Sequence, residues 1–424
     1  MANASRALDE VKGGVVDLYY SDPKNSLKQN ISVEYDTRFT VGFQAPGGGQ
    51  QVITIPPGAG IRDVLLVMQF NANSLTPIAT PVAPNTTNGS WALPQGWGYN
   101  LIDNVSWRIG GSSEYYMSGS QLLARNLRQV KTQTQKTAIL TLGGNQVSLV
   151  ADYAKDQYAY VPLPFWKSAS VDGFEPVIAS DLLGQQIQIR VTLKSPSSIF
   201  YATGGGSVPP SSLSLGYAQV QQLNMYNKGQ SLAVEQDMSD HTYVAPLRGH
   251  DQQELTAKIP SGTSFANKGA VTIAGIMSGQ VRSVQVYLTD DDAPQNAAVF
   301  SAPKEVTLQY AGVNYAQYND GTSAVWNLLD SSAPSSVPAN SISFAGSTLT
   351  TSSVASTWAV LPFSQPTNAD FEATMLVAGK PVTNGAITLF ITSPDTTKNY
   401  TLHVIPTLNS AIAYSRGSAN VLIG

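Results

Sequence analysis

Apolar and polar residues alternate with a period of two along most of the chain. The alternation runs through ISVEYDTRFTVGF (31–43), VLLVMQF (64–70), NVSWRI (104–109) and IQIRVTL (187–193). It returns in LSLGYAQVQQLNMY (213–226), VRSVQVYL (281–288), EVTLQYAGV (305–313), AITLFIT (386–392) and YTLHVI (400–405). Successive side chains of an extended strand point to opposite faces, so this period predicts strands that turn one face to a core. Most runs are rich in β-branched or aromatic residues and are bounded by Gly, Pro, Asn or Asp, which turn a chain. Helical spacing is rare. In GSQLLARNLRQV (119–130), Leu123, Leu127 and Val130 fall at i, i+4 and i+7, with Arg125 and Arg128 off that stripe. SAVWNLL (323–329) is a shorter candidate. The expectation is an all-β sandwich or barrel with one or two short helices.

The pattern also repeats. YVPLPFW (160–166) is echoed by WAVLPFS (358–364): Leu163, Pro164 and Phe165 face Leu361, Pro362 and Phe363 at an offset of 198 residues. Without a gap, Ile189, Val191 and Leu193 then meet Ile387, Leu389 and Ile391, and Ser195-Pro196 meets Ser393-Pro394. A one-residue slip would turn every apolar side chain to the other face, so the shared phase is informative. Upstream, with gaps, IRDVLLVMQF (61–70) resembles VRSVQVYL (281–288) with Arg62 opposite Arg282. IPPG (55–58) resembles IPSG (259–262), and WRIGGSSEYY (107–116), with Gly110 and Gly111 at its turn, resembles LQYAGVNYAQY (308–318). Each half thus reads as a copy of one architecture.

Length agrees. At 424 residues the chain exceeds one typical core. The Gly/Pro/Ser-rich stretch within 195–212 is a natural joint, giving units 1–200 and 213–424 with a linker at 201–212. About eight strands per unit with long connections fit a jelly roll better than an immunoglobulin-type sandwich, which needs roughly 100 residues.

Composition narrows the function. Charged residues are 12% of the chain, against about 25% in average soluble proteins. A subunit that buries its flanks against neighbours needs less surface charge, so the deficit points to assembly. A net charge of −4 argues against a protein that grips nucleic acid electrostatically. With no cysteine there is no disulfide framework, thiol nucleophile or Cys-based zinc site. MANASRALDEVKGG carries no apolar signal-peptide core, and the longest apolar runs, such as VLLVM (64–68), are too short to span a bilayer.

NVSWRIGGSSEYYMSGSQLLARNL (104–127) resembles the strand–IGG–turn–helix segment of double jelly-roll major capsid proteins. YVPLPFWKS (160–168), followed by GQQIQIRVTL (184–193), resembles their PLPFWF–strand segment. That lineage spans tailless icosahedral bacterial viruses, adenoviruses and large eukaryotic DNA viruses. The second half departs from it, with Ala311-Gly312 for IGG and Ser364 where Trp166 stands. The resemblance implies two tandem eight-stranded jelly rolls in one chain and pseudo-hexameric homotrimers that tile an icosahedral shell. It also implies a virion location after synthesis in the host cytoplasm, with neighbouring capsomers and minor capsid or vertex proteins as partners. No cofactor and no catalytic residue are implied. Leu163, Pro164, Phe165, Trp166, Leu361, Pro362, Phe363, Gly110 and Gly111 are then structural landmarks.

Chemical candidates are sparse. Asp290-Asp291-Asp292 could ligate a Ca²⁺, but their spacing is not that of a calcium loop, and a solvated loop is the plainer reading. His241, His250 and His403 form no HExxH or i, i+4 pair. The glycine clusters at 46–50, 58–60 and 203–207 lack the residues of a nucleotide loop, and no GxSxG elbow is present. Arg125, Arg128, Lys131 and Lys136 form a local basic bias with no acidic residue between Glu114 and Asp152. It could face an anionic partner such as an internal membrane or a packaged genome; a solvated face or an inter-subunit salt-bridge surface is the simpler account. Two rivals stand beside the capsid reading. One is a carbohydrate-binding adhesin using exposed Trp91 and Trp97, whereas in the capsid reading loops such as 72–98 and 331–353 project outward. The other is a two-jelly-roll amidase with paired carboxylates, for which no repeated acidic spacing speaks.

Overall fold

The structure is a computed structural model that describes residues 33–42, 50–55, 60–71, 88–112, 114–128, 133–149, 155–163, 177–178, 185–202, 215–225, 242–262, 269–293, 300–310, 312–319, 359–362, 380–415 and 418–423. In the first half the main strands are β1 (Val33–Gly42), β2 (Gln50–Ile55), β3 (Gly60–Phe70), β4 (Ile102–Ile109), β5 (Tyr115–Ser118), β6 (Gln157–Leu163), β7 (Ile187–Leu193) and β8 (Leu215–Met225). They form two antiparallel sheets, ordered β1-β8-β3-β6 and β2-β7-β4-β5. Three helices, α1 (Trp97–Leu101), α2 (Gly119–Arg128) and α3 (Gln133–Leu142), fill the connection between β3 and β6 together with β4 and β5.

The second half repeats this plan. Its strands are β9 (Thr242–Asp251), β10 (Gly269–Asp290), β11 (Glu305–Tyr310), β12 (Val313–Asn319), β13 (Ala359–Pro362), β14 (Lys380–Thr392) and β15 (Tyr400–Ser415). The 22-residue β10 does the work of β2 and β3 together. Its start, 269–273, pairs with β14, and its end, 281–290, pairs with β15. Register shifts between Ile273 and Gly279 bend the strand from one sheet to the other. The orders are therefore β9-β15-β10-β13 and β10-β14-β11-β12, strand for strand those of the first half. Both halves are jelly rolls.

Register makes the correspondence specific. Val64 lies between Val220 and Leu163, while Val284 lies between Pro406 and Leu361. The two LPF strands thus meet the two aligned Arg-containing strands at the same residue. In the other sheet the copies differ by two residues: Trp107 faces Ile189, whereas Leu308 faces Leu389 rather than Ile387. A two-residue shift preserves which side chains point inward. The IPPG–IPSG match is not an equivalence, because β2 pairs with β7, whereas Leu255–Ile259 pairs with β15. Proline–glycine turns recur wherever a strand must stop.

Inward residues of both sheets make each core. Ile53, Leu66, Trp107, Val161 and Ile189 belong to the first, and Val284, Leu308, Leu361, Leu389 and Val404 to the second. Each such side chain, fully buried, contributes about 1.5–3 kcal/mol. Beyond the stretch 201–212, β8 is hydrogen-bonded between β1 and β3. The chain therefore completes its first jelly roll with residues downstream of that stretch.

Candidate functional site

The landmarks fall at strand ends and turns. Leu163 closes β6 and Leu361 lies in β13, both buried. Pro362 ends β13 opposite Ser283, and Pro164, Phe165, Trp166 and Phe363 lie outside the described residues. Gly110 makes the β4–β5 turn with φ 52°, a left-handed conformation that costs a glycine little, and Gly111 beside it has open space around its Cα. Gly312 makes the matching β11–β12 turn with φ 79°.

The three aspartates are each drawn to a different partner. Asp290 accepts from Lys398 Nζ at 2.7 Å, Asp291 from Lys258 Nζ at 2.8 Å and Thr401 Oγ1 at 2.7 Å. Asp292 accepts from the backbone and side-chain N–H groups of Asn399 at 2.7 and 2.8 Å, which hold its carboxyl below the ordinary range. They fasten the end of β10 to the 395–401 segment. Among the described residues no group of three or more His, Cys, Asp or Glu is arranged to hold a metal ion.

Three expectations change. Trp97 is 0% exposed, in the first core against Phe70, so it is not a surface platform for a sugar ring. The region 72–98 is correspondingly not one outward loop: its end forms the strand Asn88–Leu93 and the start of α1. Arg125 is 2% exposed and faces Asp251, which is 0% exposed, at 3.4 Å. Its charge is matched inside the chain rather than offered to an anionic partner. The side chains of Arg128, Lys131 and Lys136 lie outside the described residues. No described helix is long and apolar enough to cross a membrane.

Arg125 belongs to a polar seam between the two jelly rolls. In the described part of the sheet β9-β15-β10-β13, residues 283–288, 359–361 and 402–408 are buried on both faces. Val284, Val286, Leu288, Leu402 and Val404 enter the second core, while Tyr287, Val360 and Ile405 on the opposite face join the first core. Helix α2 lies in this contact, and residues 121–125 are buried all round. Its N-terminus presses against α1: a Cβ on Gly119 would come within 2.0 Å of the Tyr99 carbonyl oxygen. Ser118 Oγ caps the helix by accepting the Gln121 N–H at 3.0 Å.

Glu254 sits at the centre of the seam, in the turn between β9 and the strand Leu255–Ile259. Its carboxylate accepts from Ser118 Oγ at 2.6 Å, Ser120 Oγ at 3.3 Å and Tyr287 OH at 2.6 Å, and it pairs with His403 Nδ1 at 2.8 Å. The other His403 nitrogen, Nε2, meets Thr289 Oγ1 at 2.9 Å, and the imidazole stacks on Tyr287 with centroids 4.6 Å apart. Burial works against the Glu254 charge, but the hydrogen bond and electrostatic attraction of the His403 imidazole, with the hydrogen bonds of Ser118 and Tyr287, outweigh it and hold the carboxyl below its ordinary value. Gln121 clamps the same turn, donating to the Gln252 carbonyl at 2.7 Å and accepting the Glu254 N–H at 3.2 Å. One helical turn on, Asp251 takes Arg125 and also accepts from Thr407 Oγ1 at 3.2 Å.

A second cluster lies on the outward face of β2-β7-β4-β5. Glu114 pairs with Arg190 at 3.1 Å and accepts from Tyr116 and Ser106, while Arg108 donates to Gln188 at 2.7 and 3.0 Å. The Tyr116 hydroxyl, followed by the two arginines and Ser106 against the cost of burial, keeps the Glu114 carboxyl below its ordinary range. These clusters can fix orientation and surface character. Thr289 Oγ1, His403 and Glu254 line up as hydroxyl, imidazole and carboxylate, with the imidazole buried between the jelly rolls.

No protein-family model matches the sequence, and no curated protein matches it. Solved structures do. The chain is similar to a subunit of the PBCV-1 virus capsid quasi-atomic model with a TM-score of 0.60 and 11% identity, over 92% of this chain and 96% of that one. It is similar to the mavirus major capsid protein with a TM-score of 0.51 and 11% identity, over 95% and 93%. The Sputnik virophage structure matches with a TM-score of 0.51 and 9% identity, over 95% and 92%. At such identities the likeness is one of fold, and it covers both halves: the chain has the double jelly-roll fold found in viral major capsid proteins.

Proposed function

We propose that the chain is a viral major capsid protein, a structural subunit that acts by self-assembly rather than catalysis. The observation that carries this reading is the match of both jelly rolls, over more than nine-tenths of each chain, to the PBCV-1 capsid subunit. The 12% charge content supports it, because flanks buried against neighbouring subunits are depleted of charge. In this reading three chains form a pseudo-hexameric homotrimer, and trimers tile an icosahedral shell. Its partners are neighbouring copies together with minor capsid or vertex proteins. The proposed location is the virion, following synthesis in the host cytoplasm.

The pairing of β8 with β1 and β3 supports a division of the chain between 226 and 241, downstream of the 201–212 stretch. Sedimentation at micromolar concentration tests the assembly. The expected species is about 135 kDa, three copies of the 45.0 kDa chain, with little folded monomer. A stable, monodisperse 45.0 kDa species would overturn the proposal.

A further inference from the structure

Apolar contact alone leaves two sheet-built bodies free to slide, since dispersion and hydrophobic burial have little directional preference. The contact between the jelly rolls is not purely apolar. The buried charged residues of the described interior, Arg125 and Asp251, oppose each other there, and Glu254 and His403 lie beside them with side chains 5% and 9% exposed. A half-satisfied network of this kind would destabilise the fold, so its completeness matters. A carboxylate offers about four acceptor positions. Glu254 fills them with Ser118 and Ser120 from the first jelly roll and Tyr287 and His403 from the second.

We propose that Glu254 is the positioning hub that fixes the angle between the two jelly rolls. Tyr287, Val360 and Ile405 supply docking free energy, and the polar clasp selects one docked arrangement among those the apolar face permits. The geometry gives the clasp its selectivity. Ser118 both caps α2 and donates to Glu254, so the helix and the second jelly roll share one atom as reference. Gln121 and Arg125, four residues apart on α2, hold the 251–254 turn at two further points. Any sliding by one residue would break all of these at once and leave charges buried without partners.

The chain has no cysteine, so two introduced thiols can be spin-labelled uniquely. Val52→Cys and Val313→Cys place one label on each jelly roll, at residues 41% and 56% exposed. Labelled chain is assembled with excess unlabelled chain, and the distance between the labels is read by pulsed electron paramagnetic resonance. The parent is expected to give one narrow distance. Glu254→Ala is expected to split or shift it, and Glu254→Gln, which keeps an acceptor but loses the charge, to broaden it less. The double variant Arg125→Met, Asp251→Leu is expected to keep its thermal stability while the distance broadens. A narrow, unshifted distance in folded Glu254→Ala overturns the proposal. Should that variant fail to fold, an unshifted and unbroadened distance in Glu254→Gln overturns it equally.

Discussion

Strand β7 and the 283–288 stretch of β10 are both alternating runs, and they meet opposite fates. In β7, Ile187, Ile189, Val191 and Leu193 are buried, and Gln188, Arg190 and Thr192 keep contact with solvent. In β10, Ser283, Gln285 and Tyr287 are buried as fully as Val284, Val286 and Leu288, because the first jelly roll covers that face. The same holds for His403, Ile405 and Thr407 on β15. A polar face in an alternating strand is therefore not always a wet one. Where it carries Tyr, Ile and His among the Ser, Gln and Thr, it is a docking surface: Tyr287 and Thr407 find polar partners inside, while Gln285 Nε2 is buried without one.

That contrast can be broken by substitution. The largest effect is expected from Asp251→Ala, which leaves Arg125 buried opposite an empty place and costs about 3–5 kcal/mol, read as a lowered denaturant midpoint. A cost below about 1 kcal/mol would mean that water reaches the pair. Next, Ile405→Ala should cost about 2–5 kcal/mol although its side chain points away from the second core. Thr192→Ala, at an outward position of β7, should stay within about 0.5 kcal/mol. Equal costs for the two would erase the distinction.

The smallest and most specific effect is in pH. The Glu254 carboxyl is lowered from its ordinary value of 4.5 in the folded chain, so its contribution is complete above that value. It is lost as pH falls through the lowered folded value. Acid unfolding of the parent should therefore include a step that Glu254→Gln lacks, measured as stability between pH 6 and the acid limit. An unchanged acid limb in the variant would show that the carboxylate titrates as it does when unfolded.

Much of the fold was legible in the sequence because strand phase and turn chemistry are local. The 198-residue offset between Leu163 and Leu361 is matched by their pairing with Val64 and Val284. The place of β8 was not legible, since nothing in LGYAQVQQLNM says which sheet its backbone will join. The seam was hidden for a similar reason. Arg125 lies off the Leu123–Leu127 stripe and so looks solvated, until the second jelly roll arrives on that side of α2. Glu254 sits in a short turn without periodicity, and its partners come from 33 to 149 residues away. The one available signal was the mixed character of the outward residues in SVQVYL and LHVIPTL.

Electron microscopy of the purified, assembled protein tests the central claim most directly. Two jelly rolls per chain and three chains per capsomer predict particles with a six-lobed, hexagonal outline, alone or tiled into shells. Scattered two-lobed particles of single chains at micromolar concentration would contradict the claim.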